Sequence, residues 1–447
     1  MEQKPKLTIS GYRGVWGKNL NEQIVFDFAL AFGKMIKERG GKKILIGRDA
    51  RQSGPASFLA IKEALKSIGL TVENAGIIPT PSVLLLVKKL SYDGGILVTA
   101  SHNPIEYNGL KFVMSSGLFA GPEEIKKINE LKTEANETYT PSENFTEEDN
   151  KKFRDIHIEE ILKNLDVNLI KNKKYKVAID TINSAGSIIA PEFLKKLGCE
   201  VITINGDQSG NFAHEPEPLV KNLSQLREKM TKNTFDIGFA VDPDADRLVI
   251  ANELGEILSE EYTLVLALKD IIEKDLSDIV VNMSTSRMCE DIAKNFGKKV
   301  FRSKVGELNV VNKMFETGSH ISGEGNGALI YPKINTARDS LVSIGLILEL
   351  LAKENKKVSQ VVNEIPKYIM KKEKFTFGGN LDSLYQKLRI KFQDALTIND
   401  LDGLRFDWTD SWVHVRPSNT EPKTWIISEA TTKERVDNLF TQVKSLL

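Results

Sequence analysis

The chain is 447 residues long, 41% hydrophobic and 27% charged, with 61 Lys plus Arg against 61 Asp plus Glu and a formal net charge of zero. This length exceeds what one hydrophobic core serves, so three or four domains are expected. The charge balance provides no global field to steer the protein to nucleic acid, and an anionic ligand has to be held by local clusters.

Residues 7 to 17 place Arg13 between two glycines that let the backbone approach another segment closely. From Asn21 to Arg39, Ile24, Phe28, Phe32, Met35 and Ile36 share one helical face. Lys42 to Asn74 then reads as a strand (Ile44 to Ile46), a turn with Gly47 and Gly54, a helix (Ala56 to Ser67), Gly69 and a second strand (Leu70 to Val72). The same order returns as Val177 to Asp180, Ala185 to Lys196, Gly198 and Val201 to Ile204. It returns again as Ile279 to Asn282, Met288 to Asn295, Gly297 and Val300-Phe301. Strand, helix, glycine, strand is a βαβ unit, and three copies imply three related α/β domains with mixed, largely parallel sheets.

Between the first copy and the second lies Gly94 to Pro104, a buried-strand pattern (Ile96 to Val98) that runs into Ser101, His102 and Asn103. A serine at the carboxyl end of a buried strand has a hydroxyl on a rigid support, where open α/β sheets place reacting groups. By themselves Ser101 and Asn103 suit an ordinary turn equally well. The run Tyr107 to Phe112 could return Lys111 to that turn, and the polar stretch 132 to 155 reads as a linker with a boundary near 150.

The strand pattern Phe235 to Val241 delivers Asp242-Pro243-Asp244-Ala245-Asp246-Arg247. Aspartates at every second position of an extended chain project to one side and can converge on one hard cation, with Mg²⁺ favoured. An EF-hand is the rival, since Glu253 stands at the twelfth position, but Arg247 occupies the place of its glycine and a strand leads in. Further on, Gly323-Glu324-Gly325-Asn326-Gly327 lets a ligand lie against the backbone, with Glu324 accepting and Asn326 donating or accepting. From about Pro366 the pattern changes to short strands and two helices, an α+β domain. There Trp412 to Val415 and Thr424 to Ile427 flank Arg416-Pro417-Ser418-Asn419-Thr420-Glu421-Pro422, whose guanidinium, hydroxyls and amides suit a phosphate dianion or an ordinary hairpin loop.

With the serine turn, the aspartate triad, the glycine-rich loop and the anion cradle in this order, the sequence resembles the α-D-phosphohexomutase superfamily over essentially its whole length. That superfamily comprises the phosphoglucomutases, phosphomannomutases and phosphoglucosamine mutases. The resemblance implies three α/β domains (1–150, 151–254, 255–365) and a smaller α+β domain (366–447) around a central cleft. It implies an isomerase that moves a phosphoryl group between the 1- and 6-positions of a hexose by way of phosphorylated Ser101 and a hexose 1,6-bisphosphate, which also serves as activator. Mg²⁺ would sit on Ser101, Asp242, Asp244 and Asp246. Ser101, Lys111, Arg13 and His102 become the catalytic group, Lys111 carrying protons. Arg247, Lys304, Glu324 and Asn326 would meet the sugar, and Arg416, Ser418, Asn419 and Thr420 the non-reacting phosphate.

One departure bears on the substrate: many members have histidine where this chain has Ala328. The Gly-Glu-Gly-Asn-Gly loop is similar to that of phosphoglucosamine mutases, which favours glucosamine phosphates while glucose and mannose phosphates stay open. A metal-dependent sugar phosphatase and a binding protein without catalysis are the alternatives from other classes. The two cysteines, Cys199 and Cys289, lie far apart and form no CxxC, which fits a reducing, cytoplasmic setting. Met1 to Ser10 lacks the apolar stretch of a secretion signal. Leu341 to Ala352 is apolar but too short for a bilayer, so no membrane is expected; the charge balance speaks against nucleic acid, and the resemblance implies a small phosphosugar as partner. A monomer or homodimer is expected.

Overall fold

Three times the chain lays down a strand, a helix, a strand, a helix and a strand, and each time the first strand becomes the middle one. In the computed structural model β1 (Tyr12–Val15) and α1 (Glu22–Glu38) precede the first copy. It consists of β2 (Lys43–Arg48), α2 (Gly54–Ser67), β3 (Thr71–Ile77), α3 (Thr80–Lys89) and β4 (Gly94–Val98), with β5 (Tyr107–Met114) and α4 (Pro122–Thr133) after it. Helices α5 (Lys151–Leu162) and α6 (Val167–Lys173) lead into the second: β6 (Lys176–Asp180), α7 (Gly186–Lys196), β7 (Glu200–Ile204), α8 (Ser224–Lys232) and β8 (Ile237–Val241), then β9 (Leu248–Ala251). After α9 (Glu261–Lys274) the third runs β10 (Ile279–Asn282), α10 (Met288–Asn295), β11 (Val300–Ser303), α11 (Glu307–Thr317) and β12 (Ile321–Glu324). It is followed by β13 (Ala328–Ile330), α12 (Ser340–Glu354) and α13 (Val358–Asn363). The last part holds β14 (Ile369–Phe375), α14 (Leu381–Lys391), β15 (Thr397–Asn399), β16 (Leu404–Asp407), β17 (Ser411–Pro417), β18 (Thr424–Ala430) and α15 (Lys433–Lys444). The described residues are 7–9, 11–133, 137–141, 144–147, 150–418 and 423–447. They form two compact units, Met1–Ile271 with Asn326–Gln360, and Ile272–Gly325 with Val361–Leu447.

The pairing explains where the polar stretches fall. β2 is parallel to both β3 and β4, β6 to both β7 and β8, and β10 to both β11 and β12. The chain therefore leaves the middle strand to one side and comes back on the other. The loops after the first and third strands of each copy lie next to each other at the carboxyl ends, a topological switch point where such sheets bind ligands. Ser101 follows β4, Asp242 follows β8 and Glu324 ends β12, so the same place in each sheet carries a motif residue. β5 and β9 add antiparallel strands beside β4 and β8, making these sheets mixed.

Alternation along the strands builds two cores in the first domain. Ile44, Ile46, Ile96, Val98, Leu110 and Phe112 face α1, α2 and α4, whereas Leu45, Leu97 and Val113 pack with Val83 and Leu86 of α3 and Phe153 of α5. Gly47, expected in a turn, lies inside β2 instead. A side chain there would run into Val83 and Ile78, so the glycine lets α3 approach the sheet. The linker expected over 132–155 is shorter than its composition suggested, because α5 begins at Lys151 and buries Phe153. The α+β part is antiparallel throughout, in the order β14-β18-β17-β16-β15. Leu404, Phe406, Val413, Val415 and Ile426 of its sheet pack with Leu384, Leu388, Leu439 and Phe440 of its two helices. No helix among the described residues is long and apolar enough to cross a membrane; the apolar run 341–352 is α12, buried along nearly its whole length.

Helices α3, α5 and α12 are joined by a buried polar chain. Ser82 Oγ and His157 Nδ1 are 2.7 Å apart, and His157 Nε2 lies 2.8 Å from Asp339 Oδ2. The other Asp339 oxygen caps α12 by accepting from the Leu341 and Val342 amides. Burial pushes the Asp339 carboxyl up, but the His157 charge and these hydrogen bonds outweigh it and hold it below its ordinary 3.8. A folded-state value below the unfolded one gives stability that is present above pH 3.8 and lost as pH falls through the depressed value. Asp339→Asn should therefore destabilise the protein by about 3 kcal/mol at pH 7. In urea denaturation the gap from wild type should narrow below pH 3.8; a constant gap would mean that the carboxylate charge is not what ties the helices.

Candidate active site

The Ser101 turn is held open by a buried cation. Ser101 has φ of 50°, a left-handed conformation that non-glycine residues rarely adopt. Its amide donates to Thr99 Oγ1 at 2.9 Å, and its carbonyl accepts from Arg51 Nη2 at 2.7 Å. Arg51, fully buried, also donates to the carbonyls of Asn103 (2.7 Å), Pro104 (2.6 Å) and Tyr107 (2.9 Å). Asp49 Oδ2 balances it at 3.0 Å from Nε and takes the Thr99 hydroxyl at 2.7 Å. One guanidinium thus gathers four carbonyls into a rigid loop, at the price of burying a charge that Asp49 neutralises. Arg51 was not singled out from the sequence; its only trace there is the charged cluster at the carboxyl end of β2.

The aspartates converge in a different way from the extended chain expected. Residues after β8 form a tight turn in which the Ala245 amide donates to the Asp242 carbonyl at 3.0 Å, with Ala245 at φ 50°. Asp242 Oδ1 closes it by accepting the amides of Asp246 and Arg247, both at 3.1 Å. An extended chain would leave those amides unpaired in a buried place, so the short carboxylate folds the chain onto itself. Asp242 Oδ2 accepts from the Ser101 hydroxyl at 3.1 Å. Asp244 Oδ2 accepts from Thr80 Oγ1 at 2.7 Å and Lys111 Nζ at 2.9 Å, and Asp246 Oδ2 from Arg338 Nη2 at 2.6 Å.

Ligand oxygens of the three aspartates lie within 4.8 Å of one another. Asp244 Oδ1 and Asp246 Oδ1 are buried with no hydrogen-bond partner among the described residues. Oxygens left bare inside a protein are costly unless something else satisfies them. All-oxygen donors around a small buried space fit a hard cation such as Mg²⁺. Burial and the charges of Asp244 and Asp246 push Asp242 well above the usual carboxylate range, whereas Lys111 and Thr80 hold Asp244 down in spite of its burial.

Around this turn stand the other residues singled out near Ser101. His102 Nδ1 is 3.2 Å from Ser101 Oγ, and its Nε2 faces Arg247 Nη2 at 3.4 Å. Burial, then Arg247 and Arg13, push His102 well below its ordinary value, so the ring is neutral. Arg247 pairs with Glu217 at 2.8 Å, and Arg13 Nη1 donates to Asn103 Oδ1 at 2.7 Å. Asn326 Oδ1 accepts from Arg338 Nη1 at 2.9 Å. Thr80 and Arg338 were missed in the sequence because their partners are 164 and 92 residues away, and no local periodicity marks them.

The second unit holds the remaining expected residues. Glu324, buried at the end of β12, accepts from Asn282 Nδ2 at 2.7 Å and the Gly306 amide at 2.9 Å. Lys304 is exposed in the loop between β11 and α11. Asp402 Oδ2 takes the Val305 amide at 2.9 Å and stands 3.0 Å from Arg416 Nε. Arg416 is buried, and its Nη2 has no hydrogen-bond partner among the described residues, which suits a bound anion. The Ser418 amide donates to the Lys423 carbonyl at 2.7 Å, while Asn419 and Thr420 lie outside the described residues. Ala328, in the first unit, is fully buried in β13.

Models of the phosphoglucomutase/phosphomannomutase family match residues 5–139 (alpha/beta/alpha domain I), 155–255 (domain II), 259–368 (domain III) and 352–446 (C-terminal domain). A phosphoglucomutase/phosphomannomutase of Thermococcus kodakarensis is 34% identical over 430 residues, 95% of this chain and 94% of that one. A phosphoglucosamine/phosphogalactosamine mutase of Sulfurisphaera tokodaii is 33% identical over 447 residues, 98% of each. The crystal structure of a phosphoglucomutase/phosphomannomutase family protein from Burkholderia thailandensis superposes with a TM-score of 0.84 at 27% identity, covering 99% of this chain and 97% of that one.

The bare aspartate oxygens lead to a direct expectation. Mg²⁺ at about a hundred times its Kd should stabilise the protein by about 2.7 kcal/mol, read as a rise in the thermal midpoint. Asp244→Asn should abolish that rise, and a variant that still responds in full would place the cation elsewhere.

Proposed function

The chain belongs to the phosphoglucomutase/phosphomannomutase family of α-D-phosphohexomutases and is an enzyme of mutase type, and from that premise we propose that it interconverts glucosamine 6-phosphate and glucosamine 1-phosphate through phosphorylated Ser101. The observation that carries this is the contact of the Ser101 hydroxyl with Asp242, inside a buried triad whose other two members keep unpartnered oxygens. Asp242, Asp244, Asp246 and a phosphate oxygen on Ser101 would hold Mg²⁺, which when bound neutralises charge on the transferring phosphoryl group.

In this proposal a sugar hydroxyl attacks the phosphorus of phospho-Ser101. The bond from phosphorus to Ser101 Oγ breaks as the new bond to the sugar oxygen forms, giving the hexose 1,6-bisphosphate. The hydroxyl proton is passed by way of Lys111 and ends on Ser101 Oγ. The bisphosphate then turns over, and its other phosphate returns to Ser101 by the reverse exchange. Arg13 fixes Asn103 of the serine turn and adds positive charge beside the phosphoserine. The neutral His102 stands 3.2 Å from Ser101 Oγ, with Arg247 behind its other ring nitrogen at 3.4 Å. Arg416 and Ser418, with Asn419 and Thr420, would hold the phosphate that does not react; Glu324, Asn326 and Lys304 would meet the sugar. Glutamate as acceptor and asparagine as donor suit an amino sugar with neighbouring hydroxyls. The Sulfurisphaera relative, named for glucosamine and galactosamine phosphates, supports the same choice. The boundaries near 150, 254 and 365, the cytoplasmic setting and a monomeric or homodimeric state belong to the proposal as well.

Phosphorus NMR with Mg²⁺, a trace of hexose 1,6-bisphosphate and the 1-phosphates of glucosamine, glucose and mannose in turn is the test. Glucosamine 1-phosphate should convert fastest to its 6-phosphate without release of inorganic phosphate. Faster glucose or mannose conversion would move the substrate, and phosphate release alone would make the protein a phosphatase. Ser101→Ala should lose about 10⁴-fold or more in turnover while keeping its affinity for the 1-phosphate.

A further inference from the structure

In each aspartate of the triad one oxygen is already taken by a fixed donor of the protein, and the second oxygen of Asp242 meets only the Ser101 hydroxyl. Asp242 Oδ1 accepts two backbone amides, Asp244 Oδ2 accepts Thr80 and Lys111, and Asp246 Oδ2 accepts Arg338. A carboxylate pinned in this way has one oxygen left for a metal and binds it through that oxygen alone. Mg²⁺ takes six ligands at short range, whereas Ca²⁺ takes six to eight and favours carboxylates that can turn both oxygens toward it.

The clamp on Asp246 is the most exposed to loss, because its hydrogen bond comes from one side chain; Lys111 is 4.0 Å away as an ion-pair neighbour. Arg338 is itself 8% exposed and held at both arms. Nη1 donates to Asn326 Oδ1 at 2.9 Å while Nη2 donates to Asp246 at 2.6 Å, so the fork cannot follow a carboxylate that rotates. The backbone on its far side is equally fixed. Asp339 is bound by His157 and Asn335 and caps α12, and Ser340 Oγ donates at 2.7 Å to the carbonyl of Ala245, inside the aspartate turn. Residues 335–340 form a strap that carries the guanidinium to one place.

Resting on the assignment of the triad as the cation site, we infer that Arg338 is a positioning residue that selects Mg²⁺ over Ca²⁺ by keeping Asp246 to a single metal-facing oxygen. Its positive charge opposes any dication by the same amount, so charge alone would change both affinities together. Only the clamp changes their ratio.

The experiment is calorimetric titration of the full-length protein with Mg²⁺ and with Ca²⁺, for wild type, Arg338→Met, Arg338→Lys and Asp246→Asn. Arg338→Met should shift the ratio of the two affinities toward Ca²⁺ by about tenfold, the scale of a lost ligand-orienting partner. Arg338→Lys, which keeps the charge and one donor to Asp246 but not the two-armed fork, should shift the ratio in the same direction by less. Should Arg338→Met fail to fold, Asn326→Ala frees the other arm of the fork without removing its charge and should shift the ratio in the same direction. An unchanged ratio in the folded variant overturns the role of Arg338, even if both affinities rise. A wild type that binds neither ion, or an Asp246→Asn variant that binds both as well as wild type, overturns instead the assignment of the triad.

Discussion

Three carboxylates buried against one another are the constraint on which the structure around Ser101 depends. Asp242, Asp244 and Asp246 are each about 1% exposed or less. Like charges in a desolvated space repel strongly, and their burial is tolerable only when fixed donors or a cation compensate them. The first unit supplies those donors from far along the chain: Thr80 at the start of α3, Lys111 on β5, Arg338 before α12 and the amides of the turn itself. What these donors leave unsatisfied is a pair of bare oxygens beside a serine. The same arrangement, costly by itself, is complementary to a dication and a phosphate.

The serine side is built by the opposite device, a buried cation that needs acceptors. Arg51 takes four carbonyls of the segment from Ser101 to Tyr107 and one carboxylate, Asp49, and so holds Ser101 in a backbone conformation it would not adopt in a free chain. Rigid support of this kind fits a residue that must keep its oxygen in one place while its substituent changes. Each hub lies at the carboxyl ends of the parallel strands of its mixed sheet, where the switch in strand order opens a crevice and leaves room for loops. The second unit repeats the topology and puts Glu324 at the equivalent strand end. Its antiparallel sheet carries Arg416 at the end of β17, with Nη2 lacking a hydrogen-bond partner among the described residues.

Strand and helix periodicity, glycines after helices and the polar residues at strand ends were all legible along the chain, because each depends on neighbours within a few residues. That is why three βαβ copies, an α+β end and the stretches containing Ser101, Asp242, Glu324 and Arg416 stood out without a structure. Gly47 was misjudged for a related reason: its strand position depends on how closely α3 packs, which the local sequence does not express.

Composition and local pattern by themselves determined the fold class and which residues carry reactive groups. Only the tertiary structure decided which of those groups meet, and it did so through partners without local signature. Arg51, Thr80 and Arg338 look like surface polar residues in the sequence, since a hydrogen bond 164 residues long leaves no periodicity to read. The aspartate turn shows the same division. The sequence contains three alternating carboxylates, but whether they line an extended strand or close a turn is decided by two backbone amides that must be paired once the loop is buried.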